Sequence, residues 1–204
     1  MERTKRMVEK ITQIVQRKRQ EIERLSKTSC LVTRKGKKEA MELLERFSPS
    51  VQGKCYAWPE RCVNGNAPTL GAVGRKYGEQ VAVDWLTIEL NDYQNFVGVK
   101  EEGKASLAVV RELSRMIFGR YRYLKLSELM LFFQRLKYGD YGEMYGYVDA
   151  VRILRALRSF MADRNSIIER LEQEESERKM KRDSENAISY EEHIRMKESK
   201  KRGL

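Results

Sequence analysis

Histidine is almost missing from this chain of 204 residues: there is one, His193, in a charged C-terminal stretch. Acid–base or triad chemistry that depends on histidine therefore lacks its usual base. Proline is scarce too, with three residues, and this favours long uninterrupted helices over many strands and turns. Cysteine is limited to Cys30, Cys55 and Cys62. Structural zinc wants four ligands, commonly as two close pairs. Three scattered thiols do not supply them, so no metal is expected. The odd number fits free thiols in a reducing compartment. No apolar run approaches the roughly 18 residues of a membrane span. Met1 to Lys10 is charged and lacks the apolar run of a signal peptide. The expectation is a cytoplasmic protein with no membrane contact. The glycines Gly71, Gly74 and Gly78 lack the glycine–lysine–hydroxyl ending of a phosphate-cradling loop. No cofactor is expected, and the chain is not expected to be an enzyme.

Positive charge is abundant. Lys and Arg number 41 against 30 Asp and Glu, a net charge of +11. The excess is uneven: residues 1–40 hold 13 basic against 5 acidic side chains, and residues 165–204 hold 10 of each. A basic segment attracts polyanions, and nucleic acid is the commonest one. The other reading is a solubilising arm with no dedicated partner.

Helical periodicity runs through most of the chain, and the expected fold is all-α. Residues 1–47 read as a basic amphipathic helical arm. Met7, Ile11, Ile14, Val15, Ile22 and Leu25 form a narrow apolar seam flanked by Arg17, Lys18 and Arg19. A second helix is expected over 36–47. Residues 48–68 contain Pro49, Pro59 and Pro68, and read as a loop or linker. Residues 69–172 read as a helical core domain, with helices near 69–77, 79–96, 106–118 and 124–137. The last of these is apolar nearly all round, hence central. From Ala150 to about Lys181 the spacing predicts one long helix. Residues 173–204 form its charged extension and tail.

Between the last two helices lies Lys137–Asp149, with three glycines and four tyrosines. Gly139, Gly142 and Gly146 each disfavour helix by about 1 kcal/mol relative to alanine. The chain must turn there, and Asp149 is placed to cap the helix beginning at Ala150. Two readings stand for Tyr138, Tyr141 and Tyr145. They plug the end of the core, or their rings stack on the bases of a ligand beside Lys137. On the next helix Arg152, Arg155 and Arg158 lie opposite the apolar stripe, either as a solvated face or as phosphate contacts. Arg164 falls inside that stripe and needs a carboxylate or carbonyl partner, or must snorkel.

The run Leu124–Phe133, followed by Lys137-x-Gly139-x-Tyr141-Gly142-x-x-Tyr145-Gly146-x-x-Asp149, resembles an uncharacterised family of small helical proteins from bacterial phages and mobile elements. The resemblance extends from about Leu70 to Glu172. Asp140, Glu143 and Met144 depart from its usual pattern, and make the loop less basic. It implies a helical fold and a mobile-element setting, and supplies no activity. A looser similarity is to the helical domains of phage replisome organisers and helicase loaders.

Together these readings lead to a non-enzymatic, nucleic-acid-associated accessory protein, with DNA favoured over RNA and replication as a setting. The alternative is a protein–protein adaptor that pairs or self-associates through its terminal helices.

Overall fold

The computed structural model describes residues 34–142, 148–186, 192–195 and 197. The first 33 residues of the expected basic arm, with Arg17, Lys18 and Arg19, lie outside the described residues, as do Tyr145, Gly146 and Tyr147. The fold is all-α. Its helices are α1 (Arg34–Arg46), α2 (Gly53–Ala57), α3 (Pro59–Asn64), α4 (Leu70–Tyr77), α5 (Glu79–Phe96), α6 (Leu107–Arg120), α7 (Leu126–Tyr138) and α8 (Ala150–Asn186). Short 3-10 turns cover Pro49–Val51 and Glu101–Gly103. The chain divides into two units, Met1–Arg164 and Asn165–Leu204.

In the first unit α7 is the central helix, because nearly every side is apolar. Leu126, Leu129, Leu131, Phe132 and Phe133 are fully buried. Phe132 packs edge-on against Phe133 and Phe160, with ring centroids 5.1 and 5.6 Å apart. Truncating such a ring to alanine typically costs about 3–5 kcal/mol. Helices α5 and α6 pack through Val83, Leu86, Leu90, Val110, Leu113 and Ile117. Within that apolar contact the Thr87 and Ser114 hydroxyls lie 3.0 Å apart, each within 2.8 Å of a carbonyl one turn back, so that one proton bonds a carbonyl and the other bonds either its own carbonyl or the neighbouring hydroxyl. Both hydroxyls are thereby satisfied inside the core.

The start of α4 is sewn to the start of α7. Leu70 and Gly71 donate to the carbonyls of Leu124 and Arg122, and Leu126 donates to Pro68. Thr69 and Lys125 form an isolated antiparallel bridge. A Cβ on Gly71 would stand 3.1 Å from the Arg122 oxygen, so a larger residue here would push the two segments apart by a few tenths of an ångström.

Residues 48–68 differ from the expected loop. They form the 3-10 turn, α2 and α3, and Cys55 and Cys62 join the main core cluster. Proline misled the sequence reading here. Pro49 and Pro59 each occupy the first turn of a helical element, where the missing N–H would have had no partner anyway. The segment is bound to α7 by Lys125 Nζ donating to the Val63 carbonyl at 2.6 Å, and by Ser127 Oγ donating to the Cys62 carbonyl at 2.6 Å. Helix α1 likewise belongs to the body. Ala40 and Leu44 are buried, and Trp85 Nε1 donates to the Phe47 carbonyl at 2.7 Å.

In the second unit the described helical residues are mostly charged and exposed. Arg178 Nη2 lies 3.7 Å from Glu174 Oε2, and Gln173 Nε2 donates to Glu177 Oε1 at 2.9 Å. Exposed one-turn pairs of this kind contribute about 0.3–0.5 kcal/mol each.

Candidate nucleic-acid interface

Helix α7 ends as its sequence requires. Gly139 sits at φ 82°, ψ 12°, in the left-handed region. Its N–H donates to Leu136 O, and the next N–H, of Asp140, donates to Arg135 O. This closes the helix end and satisfies carbonyls that would otherwise be orphaned. Gly142 also has a positive φ, at 90°. Beyond the box, Asp149 Oδ1 accepts from the N–H of Val151 at 2.8 Å, capping α8.

That turn sends the two described tyrosines of the box, Tyr138 and Tyr141, to opposite sides. Tyr138 stands out in solvent, 62% exposed. Tyr141 turns inward. Its ring stacks on Phe132 at 6.0 Å, and its hydroxyl donates to Asp163 Oδ2 at 2.8 Å. Arg135 Nη1 donates to the same oxygen at 3.0 Å. Burial, with the neighbouring Asp163 carboxylate, pushes the Tyr141 hydroxyl well above its usual range, so it remains a donor. Burial pulls the Arg135 guanidinium down, but Tyr141, Asp163 and Asp140 outweigh it and the net shift is upward.

Lys137 is turned inward as well. Its ammonium donates to Asp92 Oδ2 at 2.6 Å and to Gln52 Oε1 at 2.7 Å. Gln52 in turn donates through Nε2 to Glu89 Oε2. Gln52 and Glu89 are buried, and the Lys137 side chain is only 9% exposed. The chain Glu89–Gln52–Lys137–Asp92 thus ties the segment before α2, helix α5 and the end of α7 together. The same ammonium lies 5.6 Å from the centroid of the Phe96 ring, whose outer side faces solvent.

A partner for Tyr138 comes from a place the sequence did not single out. Tyr56, on α2, packs on it with ring centroids 4.4 Å apart and 39° between planes. Both rings remain exposed. Two residues further on, Trp58 is 55% exposed, and the Arg61 guanidinium lies 4.7 Å from its ring centroid. Lys54 is exposed on the same short helix. Reading 48–68 as linker concealed this aromatic face. The available signal was the spacing of Tyr56, Trp58 and Arg61 among basic residues.

Arg152, Arg155 and Arg158 are exposed along α8. Arg164, further along the same helix, reaches inward instead. Its Nε donates to Glu128 Oε1 at 2.6 Å, while Glu128 Oε2 accepts from the N–H of Lys125 at 2.7 Å. Glu128 is fully buried, and its two oxygens are met by a guanidinium and by a helix N-terminus. The candidate residues thus separate by position. Tyr138, Arg152, Arg155 and Arg158 face solvent. Lys137, Tyr141 and Arg164 serve internal contacts. Among the described residues there is no cluster of three or more His, Cys, Asp or Glu able to hold a metal ion, and no helix long and apolar enough to cross a membrane.

Residues 104–201 match a family described as a family of unknown function (DUF6633). The matched span includes the tyrosine–glycine box and the arginines of α8, and it leaves out Tyr56 and Trp58. No curated protein and no solved structure matches the chain.

Proposed function

We propose that this chain is a non-enzymatic, nucleic-acid-associated accessory protein of a phage or mobile element, acting on DNA during replication. The observation that carries the reading is the solvent-facing pair Tyr56–Tyr138, with Trp58, Arg61 and Lys54 on the same segment. Large aromatic rings left in water at a basic surface are poor for solubility and good for stacking on bases. The exposed Arg152, Arg155 and Arg158 supply guanidinium groups that match phosphates. The net charge of +11 supplies long-range attraction to a polyanion. The mobile-element setting rests on the box resemblance alone.

The test is a titration of the full chain with short single- and double-stranded DNA over a salt series. Phosphate contacts make the logarithm of affinity fall by about 0.7 to 0.9 per contact against the logarithm of salt. A steep fall is expected, with single strands favoured. Aromatic and arginine side chains are also the ones enriched in protein–protein interfaces. No binding at low salt would therefore overturn this reading and transfer the same face to an adaptor role.

A further inference from the structure

Beneath the aromatic face lie two thiols that the proposed function does not use. Cys55 on α2 and Cys62 on α3 are both free and buried in the same core cluster. The Cys62 thiol donates to the Cys55 carbonyl at 3.7 Å. We propose that Cys55 and Cys62 form a thiol–disulfide site, in which an oxidant of the hydroperoxide class joins the two sulfurs in one intramolecular bond.

Three observations support this. First, the Cys62 sulfur already lies 3.7 Å from the Cys55 backbone oxygen, and both side chains sit in one core cluster, so closing the sulfurs to about 2.05 Å asks for side-chain rotation and a local shift of the short helix α2. Second, the two thiols are unequal. The neighbouring Cys62 side chain holds the Cys55 thiol below its ordinary range against the opposing effect of burial. The same contact, burial and the nearby Glu128 and Glu60 charges push Cys62 up. The lowered thiol is the one placed to attack and the raised thiol the one placed to resolve. Third, α2 has five residues, and its Lys54, Tyr56 and Ala57 are exposed. So short an element can open locally and admit a small oxidant.

The chemistry balances. The Cys55 thiolate attacks one peroxide oxygen, the O–O bond breaks, and a sulfenic acid and hydroxide form. Hydroxide takes the proton of Cys62. The Cys62 thiolate then attacks the Cys55 sulfur and expels the sulfenic oxygen as hydroxide, which is protonated to water. In sum two thiols and one hydrogen peroxide give one disulfide and two waters, and an organic hydroperoxide gives an alcohol in place of one water. The bond fastens α2 to α3, the segment that carries Tyr56 and Trp58.

The full chain is treated with hydrogen peroxide in native buffer, at the highest dose that leaves its circular dichroism unchanged. Remaining thiols are alkylated, and trypsin digestion follows without reductant. Cleavage after Lys54, Arg61 and Arg75 places the two thiols on separate peptides, 55–61 and 62–75, while Cys30 falls on 28–34. The expected product is a cross-linked pair of 55–61 and 62–75, carrying no alkyl group and separated again by dithiothreitol. In the Cys62→Ser variant no cross-link forms, and dimedone traps the sulfenic acid on 55–61. Separately alkylated 55–61 and 62–75 peptides would overturn the proposal. So would a cross-link to Cys30, or one that forms only in denaturant.

Discussion

Arg164 Nε donates to Oε1 of Glu128 at 2.6 Å, across 36 residues of sequence, and so ties α8 to the first turn of the central helix α7. Glu128 is fully buried, so removing the arginine strands a carboxylate in the core. Breaking a buried pair from one side costs about 3–5 kcal/mol. Arg164→Ala is therefore expected to lower the urea midpoint by that equivalent. Arg158→Ala, on the exposed ridge, should change stability by less than about 0.5 kcal/mol.

Lys137 makes a similar prediction with a functional corollary. Its ammonium satisfies Asp92 and the buried Gln52, so Lys137→Met should cost roughly 2–4 kcal/mol in chemical denaturation. Because it is turned inward, the salt slope of DNA binding should stay unchanged in the folded variant. A flattened slope would place Lys137 at the phosphates instead.

Tyr138 and Tyr141 should separate by function. Tyr138→Ala, and equally Tyr56→Ala, should weaken single-strand binding by about 1–3 kcal/mol, a loss of roughly 5- to 150-fold, with little change in stability. Tyr141→Phe deletes the hydroxyl that meets Asp163 and should cost about 0.5–1.5 kcal/mol of stability, with affinity retained. Fluorescence anisotropy and thermal melts on the same samples read both quantities.

Replacing Arg155 and Arg158 together by alanine should reduce the salt slope by about 0.7–0.9 for each phosphate that the variant no longer neutralises. An unchanged slope would make the ridge an ordinary solvated face.

Asp84 yields a pH dependence. Burial pushes its carboxyl above the usual range, against the opposing Gln80 hydrogen bond and the Arg111 and Arg115 charges. The folded state then binds this proton more tightly than the unfolded chain does. The group favours folding fully below its unfolded value of about 4, and that contribution is lost as pH rises through the raised value. Asp84→Asn should therefore raise the melting temperature near neutral pH, and the gain should shrink toward about pH 4.

Much of this was readable from spacing. The apolar repeat of α4 to α7 and the long α8 follow from local periodicity. Gly139 and Asp149 announce the turn and cap through chemistry that acts within a few residues. Arg164 stood out because it interrupts an apolar stripe, but its partner 36 residues away has no local signature. Residues 48–68 were obscured because proline marks a helix's first turn as readily as a loop. With α2 hidden, Tyr56 had no reason to meet Tyr138, and Gln52 none to meet Lys137. Lys137 could not be oriented by period either. At a helix end the neighbouring segments decide whether a long side chain turns in or out.

In the proposed function the Tyr56–Tyr138 face touches nucleic acid. Ultraviolet cross-linking of the full chain to a thymidine-rich single strand, followed by tryptic mass spectrometry, tests it most directly. Nucleotide adducts are expected on peptide 55–61, which carries Tyr56 and Trp58, and on the peptide that begins at Tyr138. Adducts confined to residues 1–34, or none on either aromatic peptide under conditions where the strand is bound, would contradict it.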